Sequence, residues 1–247
     1  GAQRYEAEPI TLSETPQLLA ATIPGDAVTY RGLDYYVEVK TLRSTVTFPP
    51  AHADSVPERI RTRVSRLRES GVNPGSRYRI VAIPVDFAGT DFTGGLDSLL
   101  ADEPGLGSYD PTRWRLFRYF PELQANLEWS TREIARFRPQ PGRAFWLITR
   151  PDHRIDTAPA IGLSTASGDS FPIVIEPGWN QIGNPFAFPV ARESIGFPAD
   201  VDSLTAFDPS LGDHGTYEER PVRILEPFEG YFVYNHAAYP QTLRVAP

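Results

Sequence analysis

Hydrophobic and polar residues alternate along much of this chain with a period of two, the spacing that turns one row of side chains into a core and the next toward water. In Leu33-Asp-Tyr-Tyr-Val-Glu-Val39, residues Leu33, Tyr35, Val37 and Val39 face one way, and Asp34, Tyr36, Glu38 and Lys40 the other. Further on, Tyr78-Arg-Ile-Val-Ala-Ile-Pro84-Val-Asp-Phe87 is matched about a hundred residues later by Trp179-Asn-Gln-Ile-Gly-Asn-Pro185-Phe-Ala-Phe188. Each opens a block that closes on a turn and an aromatic-rich apolar run. These runs are Pro141-Gly-Arg-Ala-Phe145-Trp-Leu-Ile148 and Pro227-Phe-Glu-Gly-Tyr231-Phe-Val-Tyr234. Between them, Trp114-Arg-Leu-Phe117-Arg-Tyr119 and Leu204-Thr-Ala-Phe207-Asp208 fall in matching order. The pattern predicts an internal duplication: copy one at 75–160 and copy two at 171–247, two β units burying faces against each other. Two copies are fewer than a solenoid needs, so a paired, pseudo-two-fold module is expected.

Around these runs the elements are short. A helix is expected near 96–100 after Gly94-Gly95, and strands at 114–119, 127–129 and 144–149. Residues 151–170, rich in Gly, Ser and Asp, read as the connector, and 208–215 as a loop. Residues 55–71 carry two patterns. Ser55-Val-Pro-Glu58 with Ile60, Val64 and Leu67 fits a capped helix, while Ile60, Thr62 and Val64 alternating with Arg61, Arg63 and Ser65 fits a charged edge strand, the reading favoured here.

Composition narrows the class. The 247 residues include 25 Pro and 19 Gly and are 40% hydrophobic, a globular, turn-rich chain long enough for one large or two smaller β domains. With no cysteine there is neither disulfide nor thiolate chemistry. Methionine is also absent, even at position 1, which suggests a processed or excised chain. No apolar run approaches the roughly 20 residues of a membrane helix. A net charge of -7, with Lys40 the only lysine, argues against a general nucleic-acid binder.

Two stretches resemble known extracellular modules. Ala21-Thr-Ile-Pro24 and Val28-Thr-Tyr-Arg-Gly-Leu-Asp-Tyr-Tyr-Val-Glu-Val39 resemble the second half of immunoglobulin-like or fibronectin type III-like domains of bacterial secreted proteins, with their Tyr-x-Val-x-Val strand. That implies a partial sandwich at 1–70. Gly-Trp-Asn-Gln-Ile-Gly-Asn-Pro at 178–185 and Gly-Tyr-Phe-Val-Tyr-Asn at 230–235 resemble a module recurrent in large extracellular proteins of the Bacteroidota and their relatives. This likeness covers 75–247 and implies export within a larger multidomain protein.

Candidate chemistry is sparse. His52, His153, His214 and His236 form no HExxH or His-x-His pair and read as exposed loop residues. Asp152, His153 and Asp156 suit acid–base work only if a cleft forms around them. Gly162-Leu-Ser164-Thr-Ala166 lacks the closing glycine of a nucleophile elbow. Asp200, Asp202, Asp208 and Asp213 do not follow the alternate spacing of a calcium loop. The aromatics stand out: Trp114, Trp146 and Trp179 lie in matched strands and are expected in the core, whereas Trp129 and Tyr217, read as equivalent points of the copies, are the candidate exposed platform for a sugar ring. Trp179 and Asn180 join them as candidate ligand-binding residues, with hydrogen bonding to the turn backbone as the plainer role for Asn180 and Asn184.

The sequence therefore predicts an all-β chain, with a partial Ig-like sandwich followed by an internally duplicated, pseudo-two-fold β module with few short helices. The expected role is a non-catalytic structural or adhesive module, secreted or at the cell surface, with no cofactor and no metal. Its expected partners are other domains of the same polypeptide and a surface glycan, not nucleic acid or a membrane. The alternatives are a carbohydrate-binding module of a secreted hydrolase and a carboxylate-dependent hydrolase using the 150–156 and 200–213 loops.

Overall fold

The computed structural model describes residues 8–10, 18–20, 22–40, 42–50, 57–165, 168, 170–212, 215–217 and 222–247. The chain is all-β: the described strands pair antiparallel, with one short α-helix among the described residues, Leu96–Ala101, and a few 3-10 turns. No described helix is long and apolar enough to cross a membrane.

In the first copy, the strands Ala125–Glu128, Trp114–Phe120, Ala144–Thr149 and Tyr78–Ala82 lie side by side in that order. In the second, Gly178–Gly183 pairs with Gly230–Asn235, beside a sheet of Phe171–Ile175, Gln241–Val245 and Ile195–Gly196. The duplication extends to the pairing register. Ala144 faces Ala82 and Trp146 faces Ile80. At the corresponding places, Gly230 faces Gly183 and Phe232 faces Gln181. The contacts between copies match as well: Val81 bridges Glu229, and its counterpart Ile182 bridges Arg143, the counterpart of Glu229. The Ala82 amide donates to the Phe228 carbonyl at 3.0 Å, and the Gly183 amide to the Gly142 carbonyl at 3.0 Å. Gly142 and Phe228, one position in two copies, both have positive φ, +80° and +66°. Paired contacts of this kind are what a local two-fold axis produces.

Alternation along the strands assigns the layers. Val81, Phe145, Leu147, Trp114 and Leu116 point into one core. Ile182, Tyr231 and Val233 point into another with Ile175, Leu243 and Val245. The opposite faces of both strand pairs meet in a thin seam of Ile80, Ala82, Ala144 and Phe232, packed on by Tyr119, Trp146 and Phe207. The seam is close because its residues are small. A Cβ placed on Gly183 would overlap the Cβ of Ala82; one on Gly230 would overlap Ile80 and lie 2.8 Å from the Cβ of Ala144. Where the first copy has alanine, the second must have glycine.

The third strand departs from the sequence match by two residues. Phe117 faces Trp146, but Phe232, the counterpart of Trp146, bridges Thr205 rather than Phe207. Phe207 is therefore the counterpart of Tyr119, and each sets its ring edge-on against the other copy: Tyr119 on Phe232 at 5.7 Å, Phe207 on Trp146 at 4.8 Å.

Two expectations change at the front of the chain. Residues 57–67 do form strands, Glu58–Ile60 and Arg63–Val64, although Ser55 and Val56 lie outside the described residues. Glu58–Ile60 closes onto the residues before it, pairing antiparallel with Leu33–Tyr35, whereas 62–73 does not. The 62–73 segment runs antiparallel to the 153–164 connector, through backbone bonds such as Thr157 to Leu67 and Asn73 to His153, and puts Val64 and Leu67 into the first copy's core. In the Leu33-to-Val39 row, Leu33 and Tyr35 are half-buried as expected, but Val37 and Val39 are not. Val37 and Val39 pair with Phe48 and Val46 in a two-stranded ribbon whose four apolar side chains are all exposed.

Gly230→Ala should overpack the seam and lower unfolding free energy by about 1–3 kcal/mol. Gly71→Ala, at a site where an added Cβ meets nothing within 4 Å, should change it by under about 0.5 kcal/mol. Urea denaturation of both variants checks this, and equal midpoints would remove the tight seam.

Candidate functional site

The seam ends at the surface in a fan of rings. Trp179 pairs with Tyr234 across the two strands, and Gln181 with Phe232, so all four share one face. Phe232 is buried at the centre. Against it stand Trp179 at 6.1 Å and 83°, Tyr217 at 5.8 Å and 87°, and Tyr119 at 5.7 Å and 75°. Tyr234 meets the Trp179 indole at 5.1 Å and carries His236 on its other side at 4.6 Å. These are edge-on arrangements, in which the positive rim of one ring meets the negative face of another. They hold the outer rings upright with little freedom.

Trp179 is 44% and Tyr217 47% exposed. The polar rim comes from neighbouring side chains. The Tyr119 hydroxyl donates to Gln124 Oε1 at 3.0 Å, and His236 Nε2 lies 2.9 Å from Asp202 Oδ1. Burial, then the nearby Tyr234, pushes the Tyr119 phenol up; burial, then Tyr119, does the same to Tyr217. The phenols of Tyr119 and Tyr217 thus stay neutral and are available for hydrogen bonding. The face can stack on a flat apolar ring while hydrogen bonding at its edge.

The other candidates fall elsewhere. Trp129 is not exposed: at 8% it belongs to the first core, its Nε1 donating to Asp97 Oδ1 at 3.0 Å and its ring on Tyr109 at 4.5 Å. Nor is it the counterpart of Tyr217. Trp129 bonds across to Leu116, whereas Tyr217 faces Phe207, the equivalent of Tyr119 three residues further along that strand. Asn180 is buried and fully engaged in its turn, accepting from the Glu176 amide and donating to the Glu176 and Gly178 carbonyls. It supports Trp179 and does not reach a ligand. Asn184 likewise holds Phe188 and Leu225 carbonyls. Of the matched tryptophans, Trp114 is core, Trp146 half-buried and Trp179 exposed. Tyr119, Phe232 and Tyr234 were missed as members of the face. Nothing local to either strand places Tyr234 beside Trp179, because the two are joined by a long stretch of chain that carries other strands.

The acid–base candidates are structural. His153 is buried, against the expectation of a solvated loop histidine. Thr149 Oγ1 donates to the Pro151 carbonyl and lies 2.9 Å from His153 Nδ1, so that nitrogen carries the proton, while Nε2 faces Arg79 Nη1 at 3.4 Å. Arg79, also buried, pairs with Glu69 at 2.6 Å, and Glu69 accepts from Asn73 and the Ile155 amide. Asp156 is tied by Arg66 at 2.6 Å and Arg68 at 3.7 Å. The Ser164 hydroxyl is buried and accepts from the Thr62 amide. Asp208 caps its own turn through Ser210. His52, His214 and Asp213 lie outside the described residues. Among the described residues no His, Cys, Asp and Glu gather into a metal-binding group.

No family model, curated protein or solved structure matches this chain. Its chemistry has to be argued from these side chains alone.

Burial, then the adjacent Arg79, pulls His153 down from 6.5 to about 4. Its folded pKa lies below the unfolded one, so the unfolded chain binds more protons in between, and stability contributed by neutral His153 is present above pH 6.5 and lost as pH falls toward about 4. Comparing urea midpoints of wild type and His153→Gln across that window should show the wild type losing more on acidification. Parallel losses would remove His153 from the acid response.

Proposed function

We propose that this chain is a non-catalytic adhesive module of a larger extracellular protein, which holds a surface glycan on the Trp179, Tyr217, Tyr234 and Tyr119 face. The observation that carries this is the pair of half-exposed rings, Trp179 and Tyr217, propped upright on one buried phenylalanine. A contiguous patch of exposed rings, unlike a single exposed side chain, is a mark of an interaction site. A pyranose offers an apolar C–H face to such rings and hydroxyls to the phenols and the His236–Asp202 pair beside them. The likeness of 178–185 and 230–235 to modules of bacterial extracellular proteins supplies the setting. In this reading the two copies form a rigid mount, since the seam and both cores fix the strands that carry the rings.

The test is retention on insoluble polysaccharides and a glycan array. Trp179→Ala and Tyr217→Ala should each weaken binding about tenfold, or roughly 1–2 kcal/mol, with melting temperature nearly unchanged. Trp129→Ala should instead cost about 3–5 kcal/mol of stability. Absence of any glycan retention, or retention unaffected by both surface variants, would overturn the proposal.

A further inference from the structure

A second concavity lies on the first copy, formed by three segments distant in sequence. It is a half-open cleft of about 670 Å³, walled by Gly89, Thr90, Asp91 and Phe92, by Ser98, Leu99 and Asp102 of the helix and its end, and by 159–163 of the connector, with Arg63 closing it. That volume is in the range of small-ligand sites. Its floor is apolar and fixed. Leu99 is in the core, and the Phe92 ring rests on the buried Phe87 at 4.6 Å. Gly162 packs so closely on Val85 and Phe87 that no side chain fits there, which keeps the floor open. Ile161 stands exposed on the wall.

The charged groups at this cleft differ from those around it. Arg61, Arg66 and Arg68 each meet Asp86 or Asp156. Asp91, Asp102 and Arg63 all line the cavity and are exposed, and none has an ion pair or side-chain hydrogen bond among the described residues. Two carboxylates against one guanidinium leave the mouth with a net negative charge beside an aromatic floor. A cation on a compact body complements that arrangement, its ammonium drawn to the acids and its body to the Phe92 ring.

We infer that this cleft is a binding site for a small ligand bearing a protonated primary amine on a ring or short aliphatic body. It is separate from the aromatic face and independent of it. The ammonium could come from an amino sugar or from a lysine side chain, which share this chemistry. Calorimetric titration of the intact chain with the glucosamine disaccharide and with a Lys-Ala dipeptide distinguishes the two sources. Each is paired with its fully N-acetylated form, in which every amine is capped, so that the body is kept and the ammonium charge is removed.

Binding of either amine is expected, at least about tenfold weaker for its acetylated form and for the Asp91→Asn, Asp102→Asn double variant. Binding should be unchanged in Trp179→Ala, so that failure here is not confused with failure of the glycan face. Both acids are exposed, and an unchanged melting temperature confirms that the double variant folds. No binding of either amine at millimolar concentration, equal binding of the acetylated form, or full binding by the double variant would each overturn the inference.

Discussion

The closeness of the seam between the two copies governs the rest of the molecule. Sheets stacked face to face ordinarily lie about 10 Å apart, a gap set by medium-sized side chains. Here Ala82 and Ala144 meet Gly183 and Gly230, and the backbones approach until an added methyl group has no room. At these four residues there is no room for a ring, and the rings of the seam, Phe232 and Trp146 among them, stand beside them. Tyr119 and Phe207 cross to pack on the opposite copy, and Trp179 and Tyr217 stand at the edge. The glycan-binding face proposed above thus lies at the margin of a seam that has glycine at its centre.

The duplication was legible because both copies carry the same turn, at 141–143 and 227–229, and the same alternation in the strand that follows it. The two-residue slip of the third strand was not. A strand repeats its facing every two residues, so matching Phe207 to Phe117 or to Tyr119 leaves the same side chains on the same face. Hydrophobic pattern carries no information about a slip of that size. Trp129 was misread for a related reason: alternation tells which side of a strand a residue occupies, but not that Leu96–Ala101 and Tyr109 cover that side. His153 was hidden by composition. The connector looks hydrated on its own, and becomes interior only when 62–73 lies along it and supplies Glu69 to Arg79. The cleft beside it left no trace in sequence, since its walls meet only in the fold.

That polar interior joins three parts of the chain which apolar packing alone would leave loosely placed. Glu69 accepts from Arg79, Asn73 and the Ile155 amide, and Arg79 also reaches Glu229 of the second copy at 3.3 Å. A buried ion pair with its lone pairs satisfied adds little net stability, but removal of one partner leaves a stranded charge at a cost of about 3–5 kcal/mol. The cluster therefore penalises misplaced segments more than it strengthens correct ones, which favours a single docking of 62–73.

Phe228 brings a consequence of a different kind. It belongs to the second copy, yet its ring is buried in the first core, at a φ of +66° where its counterpart is glycine. The left-handed backbone costs roughly 1–2 kcal/mol, and burying a phenylalanine returns about 1.5–3 kcal/mol, so the plug holds. During synthesis, residues 78–149 emerge from the ribosome well before residue 228. Until then the nascent first half has a vacant socket in its interior, and it reaches its final packing only when the second half delivers the ring.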